Sequence, residues 1–286
     1  MRRTLTLLAA ILAMPTALPA RQMPSAISTD PAPDKAHPAG MTVLHVPSGG
    51  VEINGIAYTP AGAGPHPVVV IAHGLPGNEK NLDLAQALRR AGWIAVAFNY
   101  RGSWGSPGTF RFAQNPEDAA AIIAWVRANA AKIGADPARI AIVGHSMGGW
   151  VAAKTIARDP KLLGAALISA ADVGATIGTQ PRTAVLDLMA DNRETLAATA
   201  AEMADEVIAH KTAFALTPDA PALAKARLFV LTSEDGLAPE MDALVGAVRK
   251  AGGTQVKTLH VATDHTWSDH RIALQAAIMD WLATLK

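Results

Sequence analysis

The stretch IAIVGHSMGGWVAAKTIAR, Ile140–Arg158, decides how this chain folds. It opens on a short apolar run, turns through a serine flanked by glycines, and continues into an alanine-rich segment that favours helix. A G-x-S-x-G pattern alone is weak: with 23 glycines in 286 residues, chance supplies it about 0.06 times. Its setting is more specific. A buried strand, a sharp turn and a helix together lift a serine hydroxyl clear of its neighbours and aim helix N–H groups at a nearby oxygen. Gly144 and Gly148 suit that turn because the adjoining backbones approach closely. Ser146 is therefore the candidate nucleophile.

Outward from this turn, short apolar runs alternate with amphipathic segments of helix length. That order predicts a doubly wound α/β fold, a mostly parallel sheet covered by helices. TVLHV and VEINGIAYT, joined through Pro47–Gly50, read as an antiparallel hairpin opening the sheet. Strands follow at 68–74, 94–100, 140–144, 164–170, 227–233 and 256–261, and their continuous apolar runs suit burial on both faces. Helices are expected near 79–91, 116–132, 147–158, 239–251 and 269–285. The second carries start signals: Asn115 as cap, Pro116 in the first turn, and Glu117 and Asp118 complementing the helix dipole. Residues 172–222 break the alternation, since about 50 residues stand where a βα connection needs far fewer. Leu196, Ala200, Met203 and Val207 recur on one helical face, so this insertion reads as helical, a packing element or a lid over a cleft.

The N-terminus pairs Arg2 and Arg3 with an apolar stretch, Leu5–Met14, and small residues ending at Ala20. This is the layout of a secretory signal peptide, with cleavage after Ala20 or Ala26. The expected organisation is a signal peptide at 1–26, a proline-rich flexible linker at 27–40 and one domain at 41–286. A periplasmic or secreted location follows, without stable membrane association once the signal is removed. The net charge of +1 gives no pull toward nucleic acid. The chain has no cysteine, which excludes disulfides, a thiolate nucleophile and cysteine-bound metals.

DPARIAIVGHSMGG (136–149) resembles the nucleophile segment of the α/β-hydrolase superfamily. HGLPGN (73–78) and FNYRGSWGS (98–106) resemble its dienelactone-hydrolase and prolyl-oligopeptidase-type branches. The chain has serine where dienelactone hydrolases carry cysteine, and it lacks the propeller of prolyl oligopeptidases, so neither specific activity carries over. The resemblance implies an α/β-hydrolase fold and a triad in the chain order serine, acid, histidine.

Under that order, Asp235 in LTSEDGLAP follows a strand where such acids sit, with Glu234 as its nearest rival. His265 falls in the loop between the last strand and the last helix, with His270 as the alternative base. The oxyanion donors would be the backbone N–H groups of Leu75 and Met147. His73 and His145 are read as packing residues that orient the two loops; Tyr100, Arg101 and Trp104 follow a strand end and either line the cleft, with Tyr100 and Trp104 as substrate contacts, or belong to a glycine-rich turn held by Arg101. Asp264, His265, Asp269 and His270 supply metal-ligand types, but their spacing does not match a helical metal site. No metal or organic cofactor is expected. The function implied is a serine hydrolase acting on a small-molecule ester, with a prolyl-oligopeptidase-type peptidase and a non-catalytic binding protein as alternatives.

Overall fold

Valine, isoleucine and alanine fill the central strands, and successive side chains along a strand serve opposite faces of the sheet. The computed structural model describes residues 23–285. Most of the expected signal peptide lies outside the described residues. Eight strands form one sheet: β1 (Gly40–Ser48), β2 (Val51–Thr59), β3 (His66–Ala72), β4 (Ile94–Phe98), β5 (Ala135–His145), β6 (Ala165–Ile168), β7 (Leu228–Thr232) and β8 (Val256–His260). Their order is β1-β2-β4-β3-β5-β6-β7-β8. The hairpin β1–β2 pairs antiparallel, β2 joins β4 antiparallel, and every pair from β4 to β8 is parallel.

The helices are α1 (Leu82–Arg90), α2 (Asn115–Ala128), α3 (Ala130–Ile133), α4 (Met147–Arg158), α5 (Arg182–Ala190), α6 (Ala200–Ala209), α7 (Lys211–Phe214), α8 (Ala220–Leu223), α9 (Ala238–Lys250) and α10 (Arg271–Ala283). Val69 and Ile71 of β3 pack with Leu84 and Leu88 of α1 and Leu274 and Ile278 of α10. Val68 and Val70 pack on the other face, with Ile122 of α2, Val151 of α4 and Leu244 of α9. The chain leaves β3 over one face to reach β4, then crosses under the other face to β5 on the far side of β3. This reversal opens a crevice beyond the carboxyl ends of β3 and β5, where ligands bind in sheets of this kind.

Two local expectations are corrected. Asn115 does not cap α2: a 3-10 turn at Phe112–Gln114 runs directly into the helix, and the buried Asn115 amide reaches Met147 Sδ at 3.4 Å. The insertion is helical, but Leu196 lies before α6, in a β-bridge with Ser103. The start of α6 is set instead by a capping box between Thr199 and Glu202, and Met203 and Val207 form its buried face.

The insertion is fastened to the core at both ends. On one side, Trp150 Nε1 donates to Phe214 O (2.6 Å), and the buried Lys154 ammonium donates to Ala213 O (2.9 Å) and Ala215 O (2.7 Å). On the other, the Glu206 carboxylate accepts from the N–H groups of Phe112 (3.0 Å) and Ala113 (2.9 Å), and Ala197 N donates to Gly102 O at 2.7 Å. Upstream of β1, Arg90 holds a 3-10 turn at Ser25–Ile27 by donating to Ala26 O (2.6 Å) and Ile27 O (3.2 Å).

Candidate active site

Ser146 sits between β5 and α4 with φ 57° and ψ −122°, a backbone conformation that L-residues adopt only when the surroundings force it. The forcing contacts are visible. Ser146 N donates to Ile168 O (2.9 Å), while Ser146 O accepts from Gly149 N (2.9 Å) and Ala171 N (3.2 Å). The glycines are required by contact rather than by φ. A Cβ on Gly144 would lie 1.9 Å from Gly148 O, and one on Gly148 would lie 2.0 Å from Ala72 O. Strand, helix and the neighbouring strand end are thus drawn together around one half-buried serine.

Ser146 and His265 line the same cleft, of about 470 Å³, together with Leu75 and Met147. Met147 is the first residue of α4, so its N–H has no partner within the helix. His265 Nδ1 lies 2.7 Å from Asp235 Oδ2. Burial pushes the Asp235 carboxyl up, but the bonds from His265 and the Leu237 N–H outweigh it and bring the pKa down to about 2. An ionised carboxylate only accepts, so the shared proton belongs to Nδ1, and the other ring nitrogen is left bare. This is the tautomer a general base requires.

A hydrogen-bonded chain runs behind Asp235. Trp267 Nε1 donates to Ser169 Oγ (2.9 Å), and Ser169 Oγ stands 2.7 Å from the hydroxyl of Ser233, two residues before Asp235. An indole N–H can only donate, so Ser169 accepts from Trp267. All three side chains are buried. They rise from the ends of β6 and β7 and from the His265 loop, and so fix those three segments to one another.

His145 supports the base from below. Its Nε2–H donates to His265 O (2.7 Å), and the two rings lie 4.7 Å apart. Burial first, and the neighbouring His265 second, lower its pKa to about 4. It therefore stays neutral and adds no positive charge beside the imidazole. His73, fully buried and lowered to about 4 by desolvation, donates from Nδ1 to Gly74 O (2.7 Å) and shapes the Leu75 loop.

A model of the alpha/beta hydrolase family matches residues 69–283. The chain belongs to that family. An uncharacterized protein of Mycobacterium tuberculosis is 31% identical over 149 residues, which are 51% of this chain and 52% of the relative. The chain thus matches about half the length of the curated relatives. Among solved structures, the esterase of Pyrobaculum calidifontis superposes with a TM-score of 0.64 at 21% identity, covering 87% of each chain. The acylaminoacyl peptidase of Pyrococcus horikoshii gives 0.66 at 18% identity, covering 86% of this chain and 41% of that one. A thermostable carboxylesterase cloned from a metagenomic library gives 0.60 at 21%, covering 91% of both. At these identities the likeness concerns the fold.

Within this alpha/beta hydrolase, Ser146, His265, Leu75 and Met147 lie on one cleft, and Asp235 stands behind His265. The rivals lie elsewhere: Glu234 is exposed, and His270 pairs with Asp269 at 2.8 Å. Tyr100 and Trp104 are corrected. Tyr100 is 0% exposed and donates its hydroxyl to His73 O (3.0 Å), and Trp104 Nε1 donates to Pro76 O (2.7 Å). Both brace the Leu75 loop from behind and neither lines the cleft. Arg101 does hold its turn, through Asp118 (2.6 Å) and Glu117 (2.8 Å). The sequence reading missed Ser169, Ser233 and Trp267. Two serines and a tryptophan carry no motif, and the one available hint was that Ser169 and Ser233 each directly follow an apolar strand, β6 and β7, whereas Trp267 lies in the loop beyond β8.

Proposed function

We propose that this protein is a serine hydrolase that cleaves carboxylic esters through an acyl-enzyme intermediate. The observation that carries this reading is the Asp235-oriented imidazole of His265 facing the same cleft as Ser146. The Ser146 hydroxyl attacks the ester carbonyl while the bare nitrogen of His265 takes its proton. Negative charge then develops on the carbonyl oxygen, and the N–H groups of Leu75, in the loop after β3, and Met147, at the N-terminus of α4, stabilise it. His265 returns the proton to the departing alkoxide. A water molecule, deprotonated by the same imidazole, releases the acyl group and restores the serine. The residues from Arg2 to Ala20 support export of the enzyme, to the periplasm or beyond.

The test is covalent. A fluorophosphonate is expected to add one phosphonyl group per chain, located on the Ser146 peptide by mass spectrometry. Absence of the adduct, with the protein folded, rejects the reading and leaves a binding protein of the same fold.

The acid limb of the pH profile is a second check. Asp235 keeps its charge down to about pH 2, so the carboxylate adds no proton uptake to the acid limb above that pH. The plot of log kcat/KM against pH is expected to have a limiting slope of one. A slope of two shows that the carboxylate titrates alongside the imidazole.

The hydrogen-bonded chain behind Asp235 gives a third. Ser233→Ala removes the hydroxyl that pairs with Ser169 beside the strand end carrying Asp235, a bond between neutral groups worth about 0.5–1.5 kcal/mol. A decrease in kcat of up to about tenfold is expected, with KM little changed, and Ser233→Thr restores it by keeping the hydroxyl. Equal behaviour of the alanine and threonine variants contradicts the positioning role.

A further inference from the structure

The proposed reading leaves the ester itself open, and the insertion supplies the missing information. Half of the residues lining the cleft come from positions 172–222, and the only titratable side chain among all of them is His265. A substrate carboxylate or ammonium entering here would lose its hydration and meet no opposite charge, a far larger penalty than an apolar group would face. The lining is otherwise apolar, with Gln180 and Asn192 on the insertion and Thr176 in its π-helical turn, Val173–Ile177.

Depth follows from burial. Phe112 (0% exposed), Val185 (1%) and Met147 (2%) form the floor, whereas Leu188 (40%) lies at the rim. Met189, four residues further along α5, is also fully buried, and it shares one core cluster with Phe112, Met147 and Val185, so the floor is part of the core. The wall is also held in place: Phe112, a floor residue, is bonded through its own N–H to Glu206 of the insertion, and Trp150 and Lys154 secure the other end. A cleft of about 470 Å³ lies toward the small end of ligand sites, which run from about 300 to 1,000 Å³. With fixed walls, that volume acts as a filter.

We infer that this site, on the reading that it hydrolyses esters, selects uncharged esters whose apolar arm is short to medium in length, and that Val185 sets the length limit. A peptide with a free charged terminus and a substrate bearing a carboxylate are both disfavoured by the same lining. The length limit arises at the floor and the charge selection over the whole wall, so the two are separable by mutation.

The experiment compares p-nitrophenyl pentanoate with the mono-p-nitrophenyl ester of glutaric acid, which has the same number of acyl carbons and adds a carboxylate. The glutarate is expected to show at least 100-fold lower kcat/KM, and Leu188→Arg, at the exposed rim, to recover at least tenfold of that loss. A series from acetate to palmitate is expected to peak at or below eight carbons. Val185→Trp should lower the hexanoate-to-acetate ratio of kcat/KM at least tenfold, and Val185→Ala should move the peak to longer chains. The alanine variant keeps the length test decisive if the tryptophan variant does not fold. Glutarate cleaved as well as pentanoate, or a peak unmoved by either Val185 variant, overturns the inference while fluorophosphonate labelling of Ser146 leaves the esterase reading standing. Failure of labelling together with failure to cleave every ester removes the esterase reading itself.

Discussion

Ser146→Ala is expected to lower kcat toward p-nitrophenyl butyrate by a factor on the order of 10⁶, the scale seen when the nucleophile of a serine triad is removed. The substitution deletes one hydroxyl from a turn whose backbone is held by bonds to Ile168, Gly149 and Ala171. None of those bonds uses the side chain. The variant should therefore fold, with a thermal midpoint within a few degrees of the parent, and fail to take up fluorophosphonate. Alanine also accepts the left-handed backbone of this position no worse than serine does, since both carry a Cβ. Turnover within tenfold of the parent, after exclusion of contaminating activity, would show that the hydrolytic chemistry lies elsewhere.

Asp235→Asn is expected to cost about 10⁴ in kcat, by way of the imidazole tautomer. The 2.7 Å contact to His265 Nδ1 now has a carboxylate that accepts from the ring and from the Leu237 N–H at 3.0 Å. An asparagine can turn its NH₂ group toward Nδ1, which places the ring proton on the nitrogen that must be bare to take the proton of Ser146. The Leu237 N–H, which donates to the carboxylate oxygen that does not face the imidazole, favours the amide oxygen there and so drives the NH₂ group into the damaging orientation. Binding is expected to survive, seen as a KM within severalfold of the parent. A kcat within tenfold of the parent would contradict the assigned role of Asp235.

The elements around Ser146 were legible because their signals are local. The apolar run ending at Gly144, the serine and the helix from Met147 to Arg158 are adjacent in the chain, and a Cβ on either glycine collides with neighbouring backbone. Asp235 and His265 were legible at one remove, through the order in which strands end. The hydrogen-bonded side chains behind Asp235 were not. Ser169 and Ser233 are 64 residues apart and Trp267 and Ser169 are 98 apart, and hydrogen bonds over such separations leave no periodicity in either segment. Tyr100 and Trp104 were misplaced for a related reason. An aromatic residue at a strand end can face the cleft or the loop behind it, and here the carbonyls of His73 and Pro76 draw both polar tips to the loop. Leu196 fell on the right helical phase, but the bridge to Ser103 and the cap at Thr199 moved the helix start beyond it.

By itself the sequence determined the alternating architecture and the site of the sharp turn, and it pointed to Ser146, Asp235 and His265 as candidates. These depend on side-chain size, polarity and order along the chain. The tertiary structure alone decided which nitrogen of His265 is bare, which donors hold Asp235, and how deep and how apolar the cleft is. Those properties arise where the ends of β5, β6 and β7 meet residues 172–222, and close packing of distant segments sets distances that neighbours in the chain cannot encode.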